Sequence, residues 1–233
     1  MREVNHYTVR STKIEKPLTL AVVADLHNGA YEDLLPQLQG VDAILIVGDL
    51  VNRHRSDYAH AVKFLKDAPE IAPTYYAIGN HERRFEQRDA YWPLVLRSRV
   101  TVLDNTFTLF EGIVLGALSS AWPGKVKAGF LADMAAQHGY KLLLCHHPEY
   151  FEPHVQQHDI DLTLAGHAHG GQVRLFGRGL FAPGQGILPK LTSGWYFDQR
   201  LLVSRGLTNS AGAPRFNDPC ELILLHLKGE NDP

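Results

Sequence analysis

Apolar runs alternate with amphipathic stretches along the first hundred residues. PLTLAVVA (17–24) and DAILIVG (42–48) are short, rich in β-branched residues and free of polar alternation, the pattern of strands covered on both faces. Between them YEDLLPQLQG (31–40) has the spacing of a short helix closed by Gly40. Residues 56–68 repeat helical spacing, PTYYAIG (73–79) predicts the next strand, and 85–98 predict a further helix interrupted by Pro93. Strand, helix, strand, helix is the order of an α/β sheet.

Beyond residue 100 the texture changes. VTVLDN, then TFTLFEGIVLGAL turning at Glu111-Gly112, KLLLC (141–145) and DLTLAG (161–166) predict a second sheet, with a helix over 125–138. From residue 170, QVRLF, QRLLVSRG and ELILLHL are expected as strands separated by Gly/Pro-rich connections, a β-rich end. No repeat, low-complexity tract or linker interrupts the 233 residues. A single domain over 1–233, two packed sheets flanked by helices, is the expectation.

Composition narrows the class. With 45% hydrophobic and 21% charged residues the chain is ordinary globular material, which excludes a disordered or fibrous protein. Lys+Arg 23 against Asp+Glu 25 leave a formal charge of −2, so no global positive field draws it to nucleic acid or anionic lipid, although a local basic patch is compatible with that total. Cys145 and Cys220 form no CxxC spacing and are expected to be free thiols, as suits a reducing compartment. MREVNHYTVR contains no apolar signal core and no run reaches the length of a membrane span, so a cytoplasmic location is expected. The 13 histidines are about twice the ordinary usage. They are spread along the chain, many at the ends of apolar runs, which points to metal rather than to a tag.

The candidate chemistry lies where strands are expected to end. Asp25 and His27 follow the first, Asp49 the second, Asn80 and His81 the third; His146 and His147 follow KLLLC, and His167 and His169 follow DLTLAG. Singly, Gly-Asp or Gly-Asn after a strand is a turn. Five such ends together point to one shared site, because ligands of open α/β sheets bind beyond the carboxyl ends of strands. Mixed imidazole nitrogens and Asp/Asn oxygens suit first-row divalent ions better than calcium or magnesium. The donors are too many for one ion, and a carboxylate can bridge two held about 3.5–4 Å apart; Asp49 is the candidate bridge.

DLH (25–27), GDL (48–50), GNHE (79–82), the first histidine of CHHPE (145–149) and GHAH (166–169), in that order, resemble the calcineurin-like metallophosphoesterase signature. The resemblance implies an α/β fold built as a four-layer α/β/β/α sandwich and a site for two divalent metal ions, manganese, iron or zinc. Asp25, His27 and His169 would hold the first ion, Asn80, His146 and His167 the second, and Asp49 both. The implied reaction is hydrolysis of a phosphate ester by attack of a metal-bound hydroxide, with His81 facing the substrate as general acid or as stabiliser of developing charge. His147 is expected beside the metals or on the surface.

The C-terminal third, HGGQVRLFGRGLFAP and LLVSRGLTNSAGAPRFNDPCELILLHL, resembles a bacterial phosphodiesterase branch that includes UDP-2,3-diacylglucosamine pyrophosphohydrolase-like enzymes. That implies a phosphodiester or pyrophosphate bond in a small molecule or lipid-linked nucleotide, with peripheral membrane contact open, nucleic acid not expected and no obligate protein partner. Members often begin with an anchoring helix, and none is read here. Leu207-Thr208 stands where the branch tends to have glycine and Cys220 where proline is usual; neither is expected to touch a ligand. Asn52 stands where phosphoprotein phosphatases carry the last aspartate of GDxxD. It is expected to accept a hydrogen bond from His81 and to leave that imidazole with a lower pKa than a carboxylate would, which weighs against a protein phosphatase.

Arg83 and Arg84, which follow the GNHE turn, are expected as solvated arginines, a bidentate contact to a substrate phosphate being the other reading, and Arg205 and Arg215 as structural or substrate contacts. Residues 175–191 are expected as a packed loop, an apolar lip toward membrane or acyl chain being the other reading. Two rival functions follow from the same residues: a nuclease or cyclic-nucleotide phosphodiesterase, and a non-catalytic metal-binding interaction module.

Overall fold

A computed structural model describes residues 2–122, 124–209 and 214–232. Two six-stranded sheets stack face to face. The first comprises β1 (Glu3–Arg10), β2 (Leu18–Val23), β3 (Ala43–Val47), β4 (Thr74–Ala77), β5 (Thr101–Leu103) and β16 (Glu221–Lys228), in the order β1-β16-β2-β3-β4-β5. The second comprises β6 (Thr106–Phe110), β7 (Ile113–Leu118), β8 (Tyr140–Cys145), β9 (Leu162–Ala165), β14 (Gly194–Tyr196) and β15 (Leu201–Val203), in the order β14-β15-β9-β8-β7-β6. Within each, the central strands β2-β3-β4-β5 and β7-β8-β9-β15 run parallel. Two short hairpins, β10–β11 (Arg174–Leu175, Arg178–Gly179) and β12–β13 (Phe181–Ala182, Gly186–Ile187), lie between β9 and β14.

The period-two geometry of each apolar strand explains the layering. In β2, Leu18, Leu20 and Val22 face the second sheet while Ala21 and Val23 face helices; in β3, Ala43, Leu45 and Val47 divide from Ile44 and Ile46 in the same way. The inter-sheet core is completed by Leu115, Leu142, Leu144 and Leu164. Outside the first sheet, α1 (Ala59–Ile71) and α3 (Arg88–Arg97) contribute Phe64, Leu65, Tyr91 and Val95. Outside the second, α4 (Phe130–Ala135) and the segment 148–155 contribute Leu131, Met134, Phe151 and Val155. The architecture is the expected α/β/β/α sandwich.

Several elements differ from their sequence pattern. Residues 31–40 form successive turns rather than a helix: Pro36 lacks an N–H and disfavours helical geometry at Leu35, so most of the bonds are of i−3 type, although Tyr31, Leu34 and Leu38 are still buried. Pro93 does not interrupt α3; it lies on the exposed side of the helix, where water can take the place of the N–H that proline lacks. α1 runs three residues past its expected end at 68, through Pro69, and stops at Ala72, held extended by Pro73. The helix expected over 125–138 is confined to α4, after Gly124 and Gly129. β5 joins the first sheet rather than opening the second, and ELILLHL is not part of a β-rich end: as β16 it inserts between β1 and β2. β1 itself, an edge strand alternating exposed and half-buried residues, was not expected. Among the described residues no helix is long and apolar enough to cross a membrane.

Candidate metal centre

The carboxyl ends of β2, β3, β4, β8 and β9 open onto one cavity, and the residues that follow them converge there. Asp25 N–H donates to the Gly48 carbonyl at 3.2 Å and His27 N–H to the Asp49 carbonyl at 3.0 Å, tying the first two loops together. His167 N–H donates to Asp25 Oδ2 at 3.0 Å, which joins the two sheets. Asn80 and His81 open α2 (Asn80–Arg83), a single turn. Asp25, His27, Asp49, His167 and His169 all have φ between 47° and 65°. For a non-glycine residue this left-handed geometry costs on the order of 1 kcal/mol each, and such strain gathers at functional sites.

Six of the seven expected ligands fall in two groups that meet at Asp49. Asp25, His27 and His169 bring one donor atom each within 4.8 Å of one another, and so do Asp49, His146 and His167. Asp49 Oδ2 lies 3.1 Å from His146 Nε2 and 3.8 Å from His27 Nε2, between the groups. His27 Nε2 and His169 Nε2 stand 3.5 and 3.6 Å from Asp25 Oδ1. Asn80 supplies a buried Oδ1.

These residues fit a pair of cations. Asp25 Oδ1, both His27 nitrogens, Asn80 Oδ1 and His146 Nε2 are buried without a hydrogen-bond partner among the described residues, and buried polar atoms are otherwise almost always satisfied. Burial opposes ionisation of Asp25 and Asp49, but the facing imidazoles, led by His169 for the first and His146 for the second, hold both carboxyls well below the usual carboxylate range. His146 Nδ1 stands 2.9 Å from the Val47 carbonyl, an acceptor only, so that nitrogen carries the hydrogen and Nε2 is turned toward Asp49. Burial lowers His146, yet Asp49 and then Asp25 push it up to about 10. The pocket draws positive charge even onto a buried imidazole.

Glu82, whose place in GNHE carries no ligand signature, holds the loops in place. Buried behind the site, its carboxylate accepts from the amides of Gly79 at 2.8 Å, Asp49 at 2.9 Å and Val51 at 3.1 Å. Gly79 is required beside it: a Cβ there would stand 2.2 Å from Asp49 Oδ1.

The family model for calcineurin-like phosphoesterases matches residues 18–171, more than half of the chain and all of these positions. The chain belongs to that family. It is 27% identical to an uncharacterized metallophosphoesterase of Campylobacter jejuni over 98% of this chain and 64% of that protein, and 25% identical to one of Helicobacter pylori over 94% and 62%. It is 28% identical to phosphodiesterase YaeI of Escherichia coli over 91% of this chain and 82% of that protein. The chain thus spans less than two thirds of the length of the first two relatives.

Around the centre of this family member, two expectations are revised, those for Asn52 and Thr208. Asn52 does not meet His81; its Oδ1 accepts from the His54 amide at 2.9 Å. His81 Nδ1 instead accepts from the Arg53 amide at 3.0 Å, which fixes the hydrogen on Nε2, the nitrogen 3.9 Å from Asp49 Oδ2. Burial, opposed by Asp49, brings His81 down to about 3. Thr208 does reach a candidate ligand: its hydroxyl donates to the Asp25 carbonyl at 2.9 Å. His147 is in neither the first nor the second group but in the cavity wall, Nδ1 3.0 Å from Glu149 Oε1 and its ring stacked on Tyr150.

The arginines separate by role. Arg205 pairs with Glu3 and Glu221; Arg215 holds the carbonyls of Arg205 and Thr208 and stands 3.2 Å from His169 Nδ1. Arg83 pairs with Asp104, while Arg84 lines the cavity. Residues 175–191 form the two short hairpins, with Pro183 and Gly184 at the cavity and Phe176, Ile187 and Leu188 exposed rather than packed. Both cysteines are free thiols.

Proposed function

We propose that this chain hydrolyses phosphodiester or pyrophosphate bonds with two divalent cations, one held by Asp25, His27 and His169, the other by Asn80, His146 and His167, with Asp49 shared. The observation that carries the reading is the pair of buried donor groups meeting at Asp49, with their unpartnered atoms. When bound, the cations would supply the charge that polarises the phosphoryl group and acidifies the attacking water. Manganese, iron and zinc all suit this donor set.

The chain's own residues do the rest. A cavity of about 560 Å³, lined by Arg53, His54, Arg84 and Tyr150 among others, receives the ester. Arg53 has a buried Nη1 without an acceptor among the described residues, which suits a phosphoryl oxygen. His81 offers Nε2–H to charge developing in the transition state; with Nδ1 occupied by the Arg53 amide, it acts as a hydrogen-bond donor rather than as an imidazolium acid. A diester or pyrophosphate is favoured over a phosphoprotein because Asn52 replaces the aspartate and holds a backbone amide. The diacylglucosamine-type substrate is supported by the resemblance of the C-terminal third alone.

The test is hydrolysis of bis(p-nitrophenyl) phosphate beside p-nitrophenyl phosphate by the manganese-loaded chain. The diester is expected to turn over faster. Retained metal with no turnover of either would overturn the reading in favour of a binding module.

A further inference from the structure

A second cavity, of about 540 Å³, adjoins the first and shares Asn80, Arg84 and Ala121 with it, so it reaches the candidate metal centre itself. The remaining wall includes Trp122, Lys125 and Lys127 on the loop after β7, and Arg83 and Asp104 opposite. Arg83 and Asp104 neutralise each other, and Arg83 Nε also donates to the Ser120 carbonyl at 3.0 Å. Arg84, Lys125 and Lys127 have no carboxylate within ion-pair distance among the described residues. Arg84 lies over the Trp122 indole, 4.6 Å from its centre, and that indole is 58% exposed.

Solvated cations are the ordinary content of a surface. Here three uncompensated ones gather on a single concavity of a chain whose formal charge is −2. The metal centre alongside is built on the carboxylates Asp25 and Asp49, whereas in the second cavity the lining carboxylate, Asp104, is paired with Arg83. A phosphoryl group seated at the metals would have a basic pocket next to it, with a flat apolar ring on one wall.

We propose that this second cavity binds a second phosphate of the substrate, so that the preferred ester is a small molecule carrying at least two phosphates. The cavity assignment stands on its own geometry; its use in turnover rests on the phosphoesterase reading above. Arg84 and the two lysines neutralise the second phosphate, and Trp122 offers an apolar face to whatever group it bears.

The two parts are tested separately. In chelator, the full chain is titrated with ADP and with AMP by calorimetry and tryptophan fluorescence; the first cavity keeps Arg53, so the response of Lys125 and Lys127, which line the second cavity and not the first, assigns the binding. One ADP per chain is expected, about tenfold tighter than AMP. Combined Lys125→Gln and Lys127→Gln should weaken ADP about tenfold, and Trp122→Phe should abolish the fluorescence change while leaving the binding heat. Equal affinity of wild type and the double lysine variant, or no ADP binding, overturns the proposal. A single-stranded oligothymidylate whose affinity grows with length and exceeds that of ADP overturns the small-molecule assignment.

With manganese, the ratio of kcat/KM for diadenosine diphosphate to that for bis(p-nitrophenyl) phosphate should fall about tenfold in the double lysine variant, which leaves the first cavity's lining intact. An unchanged ratio overturns the role in turnover. If wild type hydrolyses neither compound, the phosphoesterase reading fails and the calorimetry still decides the cavity.

Discussion

His81 is fixed by a contact that no motif announces. Its Nδ1 receives the Arg53 amide, so its useful hydrogen points into the cavity from Nε2. His81→Ala is therefore expected to lower kcat about 10²- to 10³-fold with metal content unchanged. His81→Gln, which keeps an N–H donor, should retain more activity than Ala; equal loss in both, read by steady-state kinetics, would argue for proton transfer instead. Glu82 gathers three amides, so Glu82→Gln, which turns one acceptor into a donor, should cost about 1–3 kcal/mol, seen as a lower denaturation midpoint with unchanged m-value. The convergence of Asp25, His27, Asp49, Asn80, His146, His167 and His169 was legible because each follows an apolar run. Glu82, Thr208 and the true partner of Asn52 were not, because they bind backbone groups, which have no residue signature.

At the scale of elements, strands were read better than helices. β2, β3, β7, β8 and β9 coincide with buried β-branched and leucine runs, whose parity then sorts each side chain to one core. Proline is what misled the helix reading. Pro36 prevents a helix where spacing favours one, whereas Pro93 sits inside α3 with its cost reduced by solvent. Pro93→Ala should restore the missing bond to Asp89 and stabilise the chain by about 1–2 kcal/mol, the helix penalty of proline less its effect on the unfolded chain. A lowered melting temperature for this variant would contradict that account. β1 was missed since an edge strand with no buried residue lacks the apolar signal, and the destination of β16 is a long-range pairing that local pattern does not encode.

At the scale of the whole molecule, two sheets bring strand ends from both halves of the chain to one edge, and the strained turns there are held by bonds between loops. A pair of cations bound only by the folded chain would stabilise it. Manganese at about a hundred times its dissociation constant is expected to add about 2.7 kcal/mol for each site, a rise in Tm of roughly 5–10 °C for one ion and roughly 10–20 °C for two in a chain of this size. Calorimetric scans with and without the metal check this, and magnesium, less suited to imidazole, should raise Tm less.

The central claim is that Asp49 is shared by two ions, and metal stoichiometry by plasma mass spectrometry tests it most directly. After manganese loading and desalting, wild type should hold two ions per chain and Asp49→Ala fewer than one, with the fold intact by circular dichroism. Two ions retained in the variant, or none in the wild type, would contradict the account.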